Sequence, residues 1–180
     1  MFDGSHSTWN GRLPICFAAN ASAAENKYVQ TNLVADQAEQ MPDILDEGFK
    51  NAWGISIRPA GAGGHFWVTA GTTSYEYVGD VKNSPDEKLQ DLHVDDLPYV
   101  RIPVGGKDNT ATGTVFNSDS ANFIITQGGW VVPAKFLFAS DGGVISAWAE
   151  LKYADGYVDK PTKAVEVIKE PDAQFFGLAI

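Results

Sequence analysis

Few residues in this chain are placed to do chemistry on their own. Cys16 is the single cysteine, which excludes an intrachain disulfide and a multi-cysteine metal site. A nucleophilic thiol needs an imidazole, and His6, His65 and His93 stand in no recognisable relation to it. No Gly-x-Ser-x-Gly elbow occurs, and carboxylate pairs for glycoside cleavage are judged by separation, not by order in a chain. Two acidic groups, Asp43, Asp46 and Glu47, and Asp91, Asp95 and Asp96, offer oxygen ligands. Neither has the alternating Asp-x-Asp-x-Asp-Gly loop that wraps calcium, so a solvated acidic face is the plainer reading. Asp95-Asp96 is the better of the two, because adjacent carboxylates repel unless a cation lies near. No cofactor is predicted, a divalent cation being the one candidate, and its ligands are unknown. No catalytic residue is assigned, and the sequence reads more as a non-enzyme than as an enzyme.

Composition narrows the partners. With 44% hydrophobic and 20% charged residues the chain is globular, not disordered. The net charge of −10 with no basic stripe argues against nucleic acid and anionic membranes. No run of about 18 apolar residues suggests a bilayer span. Arg12, the apolar Leu13–Ala19 and the small residues Ala21–Ala24 resemble an atypical export signal, so 1–27 is expected to be a disordered leader and the protein secreted or periplasmic. Asn20-Ala-Ser22 fits a glycosylation sequon.

The elements that must position any site are strands. Helical spacing is confined to Glu39–Phe49 and Asp86–Leu97, both bounded or interrupted by proline. Elsewhere apolar runs of four to seven residues are separated by turn residues. Expected strands are Tyr28–Val34, Ala52–Ile57, His65–Thr69, Ser74–Val78, Tyr99–Val104, Gly113–Phe116, Phe123–Thr126, Lys135–Ala139, Val144–Ala149, Ala164–Ile168 and the start of another at Phe175–Ile180. Ala60–Gly64 is a turn, not a phosphate cradle, since no Lys-Ser/Thr follows and a strand comes next.

A repeat organises these strands. Trp53-Gly-Ile-Ser-Ile57, Thr112-Gly-Thr-Val-Phe116 and Phe176-Gly-Leu-Ala-Ile180 share an x-Gly-apolar-x-apolar form at a spacing of about 60 residues. Each full unit holds four strands, as in a propeller blade: the first start is followed by Phe66–Thr69, Ser74–Val78 and Tyr99–Val104, and the second by Phe123–Thr126, Lys135–Ala139 and Val144–Ala149. Glycine at the second position would let first strands crowd a common axis. The excess over a typical blade is expected in Gly79–Pro98 and Leu151–Pro161. Trp53, Trp67 and Trp148 lie within strand patterns and are expected in the core, whereas Trp130, after Gln127-Gly-Gly129, is expected at the surface.

Tyr28–Asp36, Asn51–Ile55, Phe66-Trp-Val68, Thr112–Asn117 and Lys135–Trp148 together resemble a conserved-hypothetical family of exported β-propeller-like proteins, in the style of NHL-repeat and lactonase-type propellers. The resemblance spans roughly Tyr28 to Ile180. It implies an all-β, six-bladed propeller of which this chain holds two four-stranded blades and the first strand of a third. The implied divisions are 28–50 for a closing strand and loop, 51–110 for blade 1, 111–173 for blade 2 and 174–180 for the start of blade 3. The chain departs from the family where Thr69-Ala-Gly71 replaces an acidic residue and an Asn-Gly type turn, so a ligand role at that place is not carried over.

Two residues before each repeat start lie Asn51, Thr110 and Gln174. These would ring one mouth of the axis and contact a ligand through side-chain oxygens. Turn capping accounts for the same residue types more simply. The expected function is a binding or scaffold module for a small molecule, glycan or protein. The alternative is a metal-dependent lactonase or hydrolase whose axial site other blades complete. Blade faces without neighbours are expected to self-associate.

Overall fold

In the computed structural model the chain divides into Met1–Gln30 and Thr31–Ile180. The structure describes residues 30–58 and 65–180. The leader with Cys16, His6, Trp9 and the Asn20 sequon, the start of the Tyr28 strand and the Ala60–Gly64 turn lie outside the described residues.

The described part is all-β and built from several small sheets, none of them closed. β1 (Val34–Ala35) pairs in parallel with β2 (Ile44–Leu45). The remaining sheets are antiparallel. β3 (Ala52–Ile57), β4 (Phe66–Ala70), β5 (Thr73–Val78) and β6 (His93–Arg101) form a four-stranded meander in chain order. A second four-stranded meander contains β7 (Ala111–Phe116), β10 (Phe136–Ser140), β11 (Val144–Trp148) and β14 (Val165–Lys169). Between its members are two hairpins, β8 (Ile124–Gln127) with β9 (Trp130–Pro133), and β12 (Leu151–Lys152) with β13 (Val158–Asp159).

The two meanders pack face to face. Trp67 of β4 stacks on Phe136 of β10 with centroids 4.0 Å apart and meets Trp148 of β11 at 4.9 Å. Leu97, Val100, Ile102, Val104, Ala111, Phe138 and Ala164 complete this core. Burying each large aromatic contributes roughly 2–3 kcal/mol. The opposite face of the second sheet carries Leu137 and Ala147 against Ile125 and Val132 of the β8–β9 hairpin.

The first strands of the meanders touch backbone to backbone. A Cβ on Gly54 of β3 would lie 2.7 Å from the Thr114 nitrogen and 2.8 Å from the Gly113 Cα; one on Gly113 of β7 would lie 2.9 Å from the Gly177 Cα. Glycine is required here because no other residue permits that approach. The outer edges are tied as well: the Arg101 amide donates to the Thr162 carbonyl, and the Ala164 amide donates to the Arg101 carbonyl.

Several expectations are corrected. The two helical segments reduce to 3-10 turns at Ala38–Gln40 and Glu87–Leu89. Met41, before Pro42, is at φ 48 and leaves the helical region; further on, pairing with β5 takes up the chain from His93. Phe123–Thr126 is not the second strand of the second meander. The Asn117 side chain donates to the Asp119 carbonyl and accepts from the Asp119 amide, which diverts the chain, and Ile124–Gln127 then pairs locally across Gly128-Gly129. The second strand is Phe136–Ser140 and the fourth is Val165–Lys169, so the excess of this unit lies in both hairpins. Phe175–Ile180 forms no ladder, although the Phe175 amide donates to the Ser140 carbonyl and the Thr112 hydroxyl to the Phe175 carbonyl. Within Tyr28–Val34, Val34 is the described residue that joins a strand ladder, and the Asn32 and Leu33 carbonyls accept from the Asp43 and Ile44 amides. Trp53 is 54% exposed because β3 is an edge strand. Trp67 and Trp148 are buried, and Trp130 is 40% exposed, as expected.

Candidate functional site

Asn51, Thr110 and Gln174 all precede a first strand or its counterpart. Asn51 adopts φ 56, a left-handed conformation that Asn tolerates. Its Oδ1 accepts from Trp53 Nε1 at 3.1 Å. The Thr110 amide donates to Asp141 Oδ1 at 2.7 Å, so Asp141 caps this turn. Gln174 is exposed and borders a cleft of about 330 Å³ with Asn109, Asp141, Lys169 and Asp172. Asp141 thus links the surroundings of Thr110 and Gln174. Asn51 lies at the same end of the strands, where Ala52 pairs with Ala70 and the Gly71 carbonyl accepts from the Ala111 amide at 2.7 Å. Beside them, the exposed rings of Trp53 and Phe176 lie 6.4 Å apart.

The acidic groups serve structure. Asp46 accepts from the Gly48 amide and the Tyr77 hydroxyl; burial first, and then this carboxylate, push the Tyr77 hydroxyl well above the usual tyrosine range. Asp91 pairs with Lys82 at 3.6 Å. The cation near Asp95 is Lys160, whose Nζ lies 3.3 Å from Oδ2. Burial alone would raise the Asp95 pKa, but the Asp96 amide, the Lys160 ammonium and His65 outweigh it and hold the carboxyl below its ordinary value.

A second cluster lies at the other end of the β3–β4 ladder. His65 immediately precedes β4, Glu76 is on β5 and Asp95 on β6, and their ligand atoms lie within 4.8 Å of one another. His65 Nδ1 is 3.0 Å from Glu76 Oε1. Glu76 is 3% exposed and opposite Trp67 in the ladder, so it faces the core between the meanders. Asp95 reaches it through an irregularity: Tyr77 pairs with Val94 but Tyr75 pairs with Tyr99, leaving Glu76 alone opposite Asp95–Pro98. Pro98 has no amide to give the ladder, and such bulges re-aim side chains. Sequence reasoning singled out Asp95 but not its partners. The available signal was a glutamate between two tyrosines in a strand otherwise free of charge.

No family model, curated protein or solved structure matches the chain.

Proposed function

We propose that the two meanders are blades of a β-propeller of the exported NHL-like or lactonase-like type, and that the molecule is a binding or scaffold module, not a catalyst. The repeated strand order and the glycine-lined contact of successive first strands support the architecture. Its ligand surface is the end of the first strands carrying Asn51, Thr110 and Gln174. The observation that carries the reading is the exposed Trp53–Phe176 pair there, with Asn51 Oδ1 fixing the indole. Among a small molecule, a glycan and a protein, this pair favours a glycan: flat rings present an apolar face to a sugar's C–H groups while neighbouring amides bond its hydroxyls.

The lactonase-type alternative needs carboxylates converging on a cation beside Asn51. The His65–Glu76–Asp95 cluster lies about 15 Å away along the ladder, at roughly 3.3 Å per residue, and does not supply them. A glycan array read with the wild-type chain, Trp53→Ala and Trp130→Ala tests the proposal. Retention of a glycan class that is lost in W53A and kept in W130A supports it. No retained glycan, or equal retention in W53A, removes this surface from consideration.

A further inference from the structure

We propose that His65, Glu76 and Asp95 form a binding site for one divalent transition-metal ion of the zinc class, independent of the glycan surface. The donor set is one imidazole and two carboxylates, brought within 4.8 Å of one another from the residue before β4 and from β5 and β6. An imidazole donor suits zinc, copper, iron or nickel, whereas calcium and magnesium sites take oxygen ligands. Zinc holds nitrogen and oxygen at about 2.0–2.2 Å, which places neighbouring donors about 3.3 Å apart in a tetrahedron. His65 and Glu76 already stand at 3.0 Å, so closing the set takes small side-chain movements. Three protein ligands leave a fourth position for water or an exogenous group.

Burial and backbone make the set rigid. Glu76 is confined between the meanders at 3% exposure, and a buried carboxylate requires a compensating charge. A divalent ion held by the three side chains supplies that charge. The displaced segment Asp95–Pro98 aims the third ligand at Glu76.

Among the described residues, Lys160 is the cation in contact with the cluster. Arg58 meets His65 only through its backbone amide, and its guanidinium is engaged by Glu150 at 3.5 Å. Lys160 holds Asp95 Oδ2 on a side chain 36% exposed, so it is free to swing away or to remain on one carboxylate oxygen as an outer partner. Lys160 competes with a metal for Asp95, and this gives the site a signature that a plain ion-pair network lacks.

Calorimetric titration of Zn²⁺ into the untagged, chelator-treated chain at pH 7.5, with Co²⁺ absorption as a second readout, tests the site. One saturable equivalent is expected, weakened by more than about tenfold in His65→Gln and Asp95→Asn, tightened in Lys160→Met and unchanged in His93→Ala. Should His65→Gln fail to fold, the partly exposed Asp95 and Lys160 variants decide. Absence of saturable binding by the wild-type chain, or equal affinity in Asp95→Asn and Lys160→Met, overturns the proposal.

Discussion

Gly54 and Gly113 are where a single methyl group should matter most. A Cβ at either position would fall under 3 Å from neighbouring backbone, that of Gly113 and Thr114 for Gly54 and that of Gly177 for Gly113, and backbone cannot rotate away as a side chain can. Gly54→Ala and Gly113→Ala are each expected to cost about 2–3 kcal/mol, the upper part of the range for overpacking, read as a shift in urea midpoint. Tyr77 makes a second prediction. Its hydroxyl pKa is raised by burial and by Asp46, so the folded state holds its proton more tightly than the unfolded chain. The stability this contributes is complete below the unfolded value near 10 and is lost as pH rises above it. Tyr77→Phe should lower stability at neutral pH by about 1–3 kcal/mol and flatten the loss above pH ~10 in thermal melts.

At the scale of elements, the contact between the two meanders dominates. Phe136 is fully buried and stacked on Trp67; Phe136→Ala should cost about 3–5 kcal/mol, whereas Val131→Ala, 72% exposed on β9, should stay within about 0.5 kcal/mol. β6 carries a pH prediction. The Asp95 carboxyl is held below its ordinary value, so its contribution is present above the unfolded value near 4 and is lost as pH falls through the lower folded value. Asp95→Asn should therefore be less stable than wild type at pH 7 and show a shallower acid limb in melts between pH 7 and 2.5.

These elements were unequally legible in the sequence. Ala52–Ile57 was read at its true bounds, and β4, β5, β7, β10, β11 and β14 within a residue or two, because their aromatic and β-branched runs end at turn residues. The place of Ile124–Gln127 was misread because its pattern fits any strand, and only the Asn117–Asp119 turns divert it into a local hairpin. The His65–Glu76–Asp95 cluster was illegible for a related reason. It depends on how far β6 departs from β5 at Glu76, a register that no periodicity in the chain encodes. Asn51, Thr110 and Gln174 were singled out by repeat position alone; the Asn51 bond to Trp53 is the local one that turn chemistry suggests, whereas the Thr110 amide is capped by the distant Asp141.

At the scale of the molecule, the described residues leave apolar side chains exposed along β3 and within residues 176–180. On β3, Trp53, Ile55 and Ile57 are all more than half exposed, as are Phe176 and Ile180. An edge strand with alternating exposed apolar residues is a template for association. Sedimentation velocity should show concentration-dependent self-association, reduced by Ile55→Lys; a monodisperse species at all concentrations would speak against that reading of β3. The account as a whole depends on successive modules meeting through their first strands. Nuclear Overhauser effects between glycine α protons, recorded on a glycine-labelled, otherwise deuterated sample, test that contact directly. Cross-peaks linking Gly54 to Gly113 and Gly113 to Gly177 are predicted; assigned glycine signals with neither cross-peak would contradict it.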